Sequence, residues 1–254
     1  MKQITLSHIT ALTALRHLRI TSQEFINYVN NCLINKISTP NKIEIIETNR
    51  NKVNNSKYIK CHYMRNKLLS KYTISLNNTI KVTCPELTII HMASIINYYE
   101  LALLIHEFCG SFSIVKNGEY SFIGNLEPIT NIDKIKKFIQ IYTRNNKRTP
   151  GIRNLKSILS FAENNSASPM ESRLFIKLCG PRFRGMYGCK NLKMNQPVKI
   201  SNSAKQIAGQ ELIVPDISSF KYKLAIEYDS NQFHETTEQG QKDKRRRDAL
   251  VNDG

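Results

Sequence analysis

The sequence predicts a mixed α/β (α+β) protein in two parts, residues 1–150 and 151–254, and three observations lead there. Apolar residues recur at helical spacing in several blocks, the largest beginning at Cys84-Pro85-Glu86 and running to Phe108. Shorter runs with strand-like content, Lys42–Glu47, Tyr58–Tyr63 and Tyr72–Val82, precede that block, and others return at Lys193–Ile200, Glu211–Ser218 and Lys223–Asp229. Between the two sets lies Thr149-Pro150-Gly151, a natural junction. At 254 residues with 41% apolar content, the chain has enough material for a sizeable core in one large or two ordinary domains.

From the N-terminus, an alanine- and leucine-rich stretch predicts a helix through Arg16 and Arg19. Thr21-x-x-Glu24 reads as a capping box for a second helix with Phe25, Ile26, Val29, Cys32 and Leu33 on one face. Neither His8 nor His17 has a second metal-ligand type near it in sequence, which favours ordinary surface or core histidines. In the large apolar block, proline at the first turn and Glu86 near the helix start mark its beginning, and Gly110 its end. His91, His106 and Glu107 fall in this block. On one continuous helix, His106 and Glu107 diverge and His91 lies several turns away, so the spacing argues against a metal site.

Asn131 is placed to cap a basic helix whose buried stripe is Ile132, Ile135, Phe138, Ile139 and Tyr142, with Lys134, Lys136 and Lys137 outside. Ile152, Leu155, Ile158, Leu159 and Ala162 form the next stripe. Ser168-Pro-Met-Glu171 is then a capping box, which gives Glu171 a structural reason to be there. Pro181–Gly188 mixes Arg182 and Arg184 with Phe183, a combination suited to a nucleic-acid backbone or base.

The candidate site lies in Leu224-Ala-Ile-Glu-Tyr-Asp-Ser-Asn-Gln-Phe-His234. Alternate strand positions share a face, so Glu227 and Asp229 stand side by side where a divalent ion can bind. If the flanking strands pair antiparallel about a turn centred between Lys221 and Tyr222, Asp216 falls opposite Glu227; a one-residue slip separates the two acids. His234 follows on a polar turn. Beyond the polar stretch Glu235–Gly240, Gln241–Val251 predicts a basic helix.

These residues carry a resemblance. Ser168-Pro-Met-Glu171, Pro215-Asp216, Ala225-Ile-Glu-Tyr-Asp-Ser-x-x-Phe-His234 and Lys242-Asp-x-x-Arg-Arg-x-Ala-Leu250 stand in the order found in endonuclease-like domains of the PD-(D/E)XK superfamily. The branch they most resemble is the very-short-patch-repair-like group, often the C-terminal domain of bacterial proteins; the match spans about Ala167 to Gly254. The resemblance implies a restriction-endonuclease-like core in residues 151–254. It also implies Mg²⁺ or Mn²⁺ held by Asp216 and Glu227, with Glu171 reaching the ion directly or through water. His234 would act as proton carrier, Arg246 or Arg247 would bind phosphate, and Asp229 and Asp243 would support the site. Two departures stand out: Asp229 replaces the usual lysine, and the chain stops at Asn252-Asp-Gly254 without the apolar strand expected after the last helix.

A formal charge of +17 favours a polyanionic partner, DNA in this reading, although the abundant lysine, asparagine and isoleucine also fit AT-rich codon usage. The six cysteines show no Cys-x-x-Cys pair, which fits reduced thiols in a cytoplasmic protein. No run of about 18 apolar residues suits a membrane. The functional expectation is a metal-dependent DNA endonuclease-like protein, with a homodimer or a protein partner engaged through the N-terminal part. The alternative is a catalytically inactive DNA-binding or antitoxin-like regulator with a degenerate nuclease domain.

Overall fold

A computed structural model describes residues 3–20, 27, 29, 42–115, 121–146, 148–228 and 237–253. The helix expected from Thr21 to Leu33 falls almost entirely outside these residues.

A five-stranded mixed sheet organises the N-terminal part. Its members are β1 (Ile4–Leu6), β2 (Ile43–Glu47), β3 (Ile59–Tyr63), β4 (Thr73–Ser75) and β5 (Ile80–Thr83), in spatial order β3-β2-β1-β5-β4. The sequence gives no strand signal at Ile4–Leu6, yet those three residues take the central place, antiparallel to β2 and parallel to β5. β2 and β3 run parallel with Glu44 beside Lys60 and Ile46 beside His62, so these four side chains share one face. α1 (His8–Ile20) follows β1 directly and packs against the sheet and the helices behind it.

The large apolar block is two helices rather than one: α2 (Pro85–Met92) and α3 (Tyr98–Cys109). Asn97 breaks the run, because its side chain accepts from the Glu100 N–H while the Glu100 carboxylate accepts from the Asn97 N–H, a complete capping box. α3 is buried along nearly its whole length. α4 (Ile132–Asn145) starts at Asn131 as its pattern predicts, and α5 (Ile152–Leu159) and α6 (Pro169–Cys179) follow. The main hydrophobic cluster runs from Leu6 to Ile176 and takes in Leu155, Ile158 and Leu159, crossing the Thr149-Pro150-Gly151 junction without interruption. Gly151 adopts a positive φ of 74°, and a Cβ there would collide with the carbonyl of Ala93, so the junction is fastened to the α2–α3 turn.

The C-terminal part is built on a long antiparallel ribbon. β8 (Lys193–Met194) pairs with β11 (Ile217–Ser219), and β9 (Val198–Lys199) pairs with β10 (Leu212–Ile213) in the same register. The two pairings are ends of one ribbon, interrupted where Pro197 and Pro215, lacking N–H groups, face the opposing strand. α7 (Asn202–Ala208), capped by Ser201, lies in the connection; no helix is expected there from the sequence. β12 (Leu224–Ile226) adds a third strand beside β11, and α8 (Thr237–Asp253) packs on α7. β6 (Ser113–Ile114) and β7 (Phe122–Ile123) form a separate small hairpin. The five described cysteines, Cys61, Cys84, Cys109, Cys179 and Cys189, are free thiols. Among the described residues, no helix is long and apolar enough to cross a membrane.

One buried ion pair ties α1 to α3. The Glu107 carboxylate accepts from Arg16 Nε at 2.8 Å and Nη2 at 2.6 Å, from the Ser113 hydroxyl at 3.2 Å and from the Ile114 N–H at 2.9 Å. Arg19 adds donors to the carbonyls of Glu107, Gly110, Phe112 and Glu127. Removing one partner of such a pair strands the other, so Glu107→Ala is predicted to cost about 3 kcal/mol in urea unfolding. Glu107→Gln, which keeps an acceptor for Ile114, is predicted to cost less.

Candidate nucleic-acid cleavage site

The antiparallel pairing of β11 with β12 sets the site. Ile217 lies opposite Ile226 and Ser219 opposite Leu224, so the same register carries Asp216 opposite Glu227. The turn is centred between Lys221 and Tyr222 as expected, with Lys223 at a positive φ of 47°. Strand register makes Asp216 and Glu227 neighbours across this pairing, close enough for their carboxyl groups to influence each other's ionisation. Asp216 Oδ2 also accepts from the Tyr228 N–H at 2.6 Å.

Two neighbouring carboxyl groups repel when both are ionised, and a proton or a divalent cation relieves that repulsion. Burial pushes the Asp216 pKa up; the Tyr228 N–H, the positive charge of Arg246 and the neighbouring Glu227 carboxyl work against that rise.

Glu171 approaches from α6. Ser168 Oγ accepts from the Glu171 N–H at 3.2 Å, which is the expected cap. The carboxylate reaches past the cap residue to the Ala167 N–H at 3.0 Å. Its second donor is the Asn195 side-chain amide at 2.7 Å. With 7% exposure, Glu171 has its pKa raised first by burial and additionally by the negative charge of Asp216; the bonds from Asn195, Ala167 and Ser168 oppose the shift. The three acids therefore lie near the ribbon interruption, Glu171 on α6, Asp216 just before β11 and Glu227 just after β12.

Asn195 is the residue sequence reasoning missed. It sits at the ribbon interruption with a positive φ of 46°. Its N–H donates to the Asp216 carbonyl at 3.0 Å, and its amide donates to Glu171 and to the Asn165 carbonyl at 2.9 Å. It thus links the Glu171 carboxylate to the backbone of Asp216. Asn195-Gln-Pro197 is the only trace in the sequence, since asparagine before a turn proline tolerates left-handed backbone.

Arg246, on α8, donates from Nη2 to the Val214 carbonyl at 3.1 Å and to Glu227 Oε1 at 3.3 Å. Arg247 is exposed on the same cleft, a cavity of about 870 Å³ between the β11–β12 hairpin and α8. Lys199 and Lys223 add positive charge to its wall, and Phe220 and Tyr228 add aromatic surface. Asp229 and His234 lie outside the described residues; Asp243 is on α8, but its side chain also lies outside them.

The oxygen-only donor set of Asp216, Glu227 and Glu171 suits Mg²⁺ or Mn²⁺. These acids do not crowd as closely as a second group does: among the described residues, His8, Glu44 and His62 bring one ligand atom each within 4.8 Å of one another. Partners remote in sequence thus surround His8. His106 and Glu107 are core groups of α3, as their spacing implies.

Comparison with protein-family models, curated proteins and solved structures finds no match.

The raised Asp216 pKa has a defined consequence for stability. A carboxyl titrating higher in the folded than in the unfolded state favours folding while protonated and loses that contribution as pH rises through the folded pKa. Asp216→Asn is therefore predicted to gain stability over the unaltered chain as pH goes from about 3 to 7, read from urea midpoints across that range. A constant difference would contradict the assignment.

Proposed function

We propose that the chain is a metal-dependent endonuclease-like protein hydrolysing phosphodiester bonds in DNA, with a restriction-endonuclease-like core in residues 151–254. The observation carrying this reading is the strand register that sets Asp216 opposite Glu227, with Glu171 brought near from another element through Asn195. Asp216 and Glu227 are the residues that would hold Mg²⁺ or Mn²⁺, with Glu171 contributing through water. When bound, the ion supplies a more acidic water and neutralises charge on the phosphate oxygens.

The remaining roles belong to the chain. Asn195 and the Ala167 N–H fix the Glu171 carboxylate, whose raised pKa suits it to exchange a proton near the reacting phosphate. Arg246, already beside Glu227, is placed to exchange that carboxylate for a phosphate oxygen, a pairing guanidinium makes readily. Lys199, Lys223 and Arg247 attract the polyanion by displacing its counterions. Free thiols and high net positive charge suit a cytoplasmic DNA partner.

The test is nicking of supercoiled plasmid with Mg²⁺. The unaltered chain is expected to nick, and Asp216→Asn and Glu227→Gln are each expected to lose about 100-fold or more while still binding duplex. Equal cleavage by all three rejects the site. Tight duplex binding without cleavage by the unaltered chain instead establishes the catalytically inactive regulator.

A further inference from the structure

A second cluster of chemistry-bearing side chains lies far along the chain from the cleft, on the N-terminal sheet. Chain topology assembles it from four elements. β2 and β3 run parallel in a register that puts Glu44, Lys60 and His62 on one face. β1 ends beside β2, where the Ser7 N–H donates to the Glu44 carbonyl at 2.9 Å, and the next residue, His8, opens α1 with a positive φ of 51°. That conformation is uncommon for a residue with a Cβ and points to a local constraint on where the ring goes. α2 then supplies His91 from above.

The imidazole of His8 is stacked between two others: His62 at 3.6 Å between ring centroids and His91 at 4.3 Å. His62 Nε2 stands 3.4 Å from Glu44 Oε1. His8 Nδ1 is engaged by Ser7 Oγ at 2.9 Å, so Nε2 is the nitrogen left for another partner. This is the arrangement by which an outer hydrogen bond orients a metal-binding imidazole. His91 Nδ1 is buried with no hydrogen-bond partner, an arrangement that ordinarily costs about 1–3 kcal/mol. The three rings line a cavity of about 280 Å³ that also touches Tyr63, Met64 and Ser94.

We propose that His8, Glu44 and His62 form a binding site for a divalent transition metal of the zinc class, with His91 closing the site from α2. Two imidazole nitrogens and one carboxylate oxygen are the donor set of such ions and not of Mg²⁺ or Ca²⁺. The three ligand atoms lie within 4.8 Å of one another. Tetrahedral Zn²⁺ with bonds of about 2.0–2.2 Å needs about 3.5 Å between them, a closure that side-chain rotation supplies. Glu44 is already fixed by the Ile9 N–H on Oε2 at 2.8 Å. The Lys60 ammonium on Oε1 at 2.9 Å occupies the position of the metal charge; its side chain is 52% exposed and can return to water when an ion replaces it.

Burial, then the neighbouring rings, lowers His91 to about 3. Burial, then His62, lowers His8 to about 4 despite the opposing charge of Glu44. Burial opposes ionisation of Glu44, but bonds from His62, Lys60 and the Ile9 N–H prevail and bring it down to about 2.

Titration of the full chain, stripped with chelator, with Co²⁺ tests the proposal through visible absorption, independently of any nuclease activity. One Co²⁺ with a tetrahedral-type spectrum, displaced by Zn²⁺, is expected. The Asp216→Asn/Glu227→Gln double variant is expected to keep it. His62→Gln and Glu44→Gln, each checked for folding by circular dichroism, are expected to bind at least about 10-fold more weakly. No binding by the unaltered chain, undiminished binding by folded His62→Gln and Glu44→Gln, or loss confined to the double variant would each overturn it. Should both single variants fail to fold, X-ray absorption fine structure of the Zn²⁺ form decides. At least two imidazole ligands are expected, and a spectrum with one or none refutes the site.

Discussion

The register between β11 and β12 is the constraint on which the C-terminal half depends. Strand side chains alternate between faces, so a slip of one residue would turn Asp216 and Glu227 to opposite sides and move Ile217 out of its cluster. Ile217 is fully buried against Phe175, Leu192 and Met194, with Ile226 packed beside them, and apolar packing thereby holds the acids in place. Core and chemistry are one decision here. Pro197 and Pro215 interrupt the ribbon next to Asp216, where Asn195 turns its amide toward Glu171.

Two ways of burying a carboxylate appear in the same chain. Glu107 is surrounded by donors, including both arms of Arg16, and serves to join α1 to α3. Asp216 and Glu171 instead have too few donors to offset burial, and the negative charge of Asp216 further raises the cost of ionising Glu171. A carboxyl whose ionisation burial opposes contributes less to the fold at neutral pH than one fully supplied with donors.

Much of the C-terminal site was legible in the sequence because its determinants are local. Alternating apolar residues on either side of Lys221-Tyr222 define the hairpin, and Ser168-Pro-Met-Glu171 announces a helix start with its acid in place. The rest required long-range pairing. A strand of only three residues, Ile4–Leu6, carries no periodic signal, yet it brings His8 to Glu44. His62 reaches them through a parallel pairing whose partners are sixteen positions apart. The split between α2 and α3 is marked by Asn97 and Glu100, but unbroken hydrophobicity on both sides hides it. Asn195 acquires its role only when α6 packs near the ribbon.

The account rests on a cation held jointly by Asp216 and Glu227. Crystals grown with Mn²⁺ and measured for its anomalous scattering give the most direct view of that claim. The account predicts a peak within coordination distance of one oxygen from each of these side chains, with the Arg246 guanidinium displaced from Glu227. Absence of a peak between them at saturating Mn²⁺, with the Arg246 pairing unchanged, would contradict it.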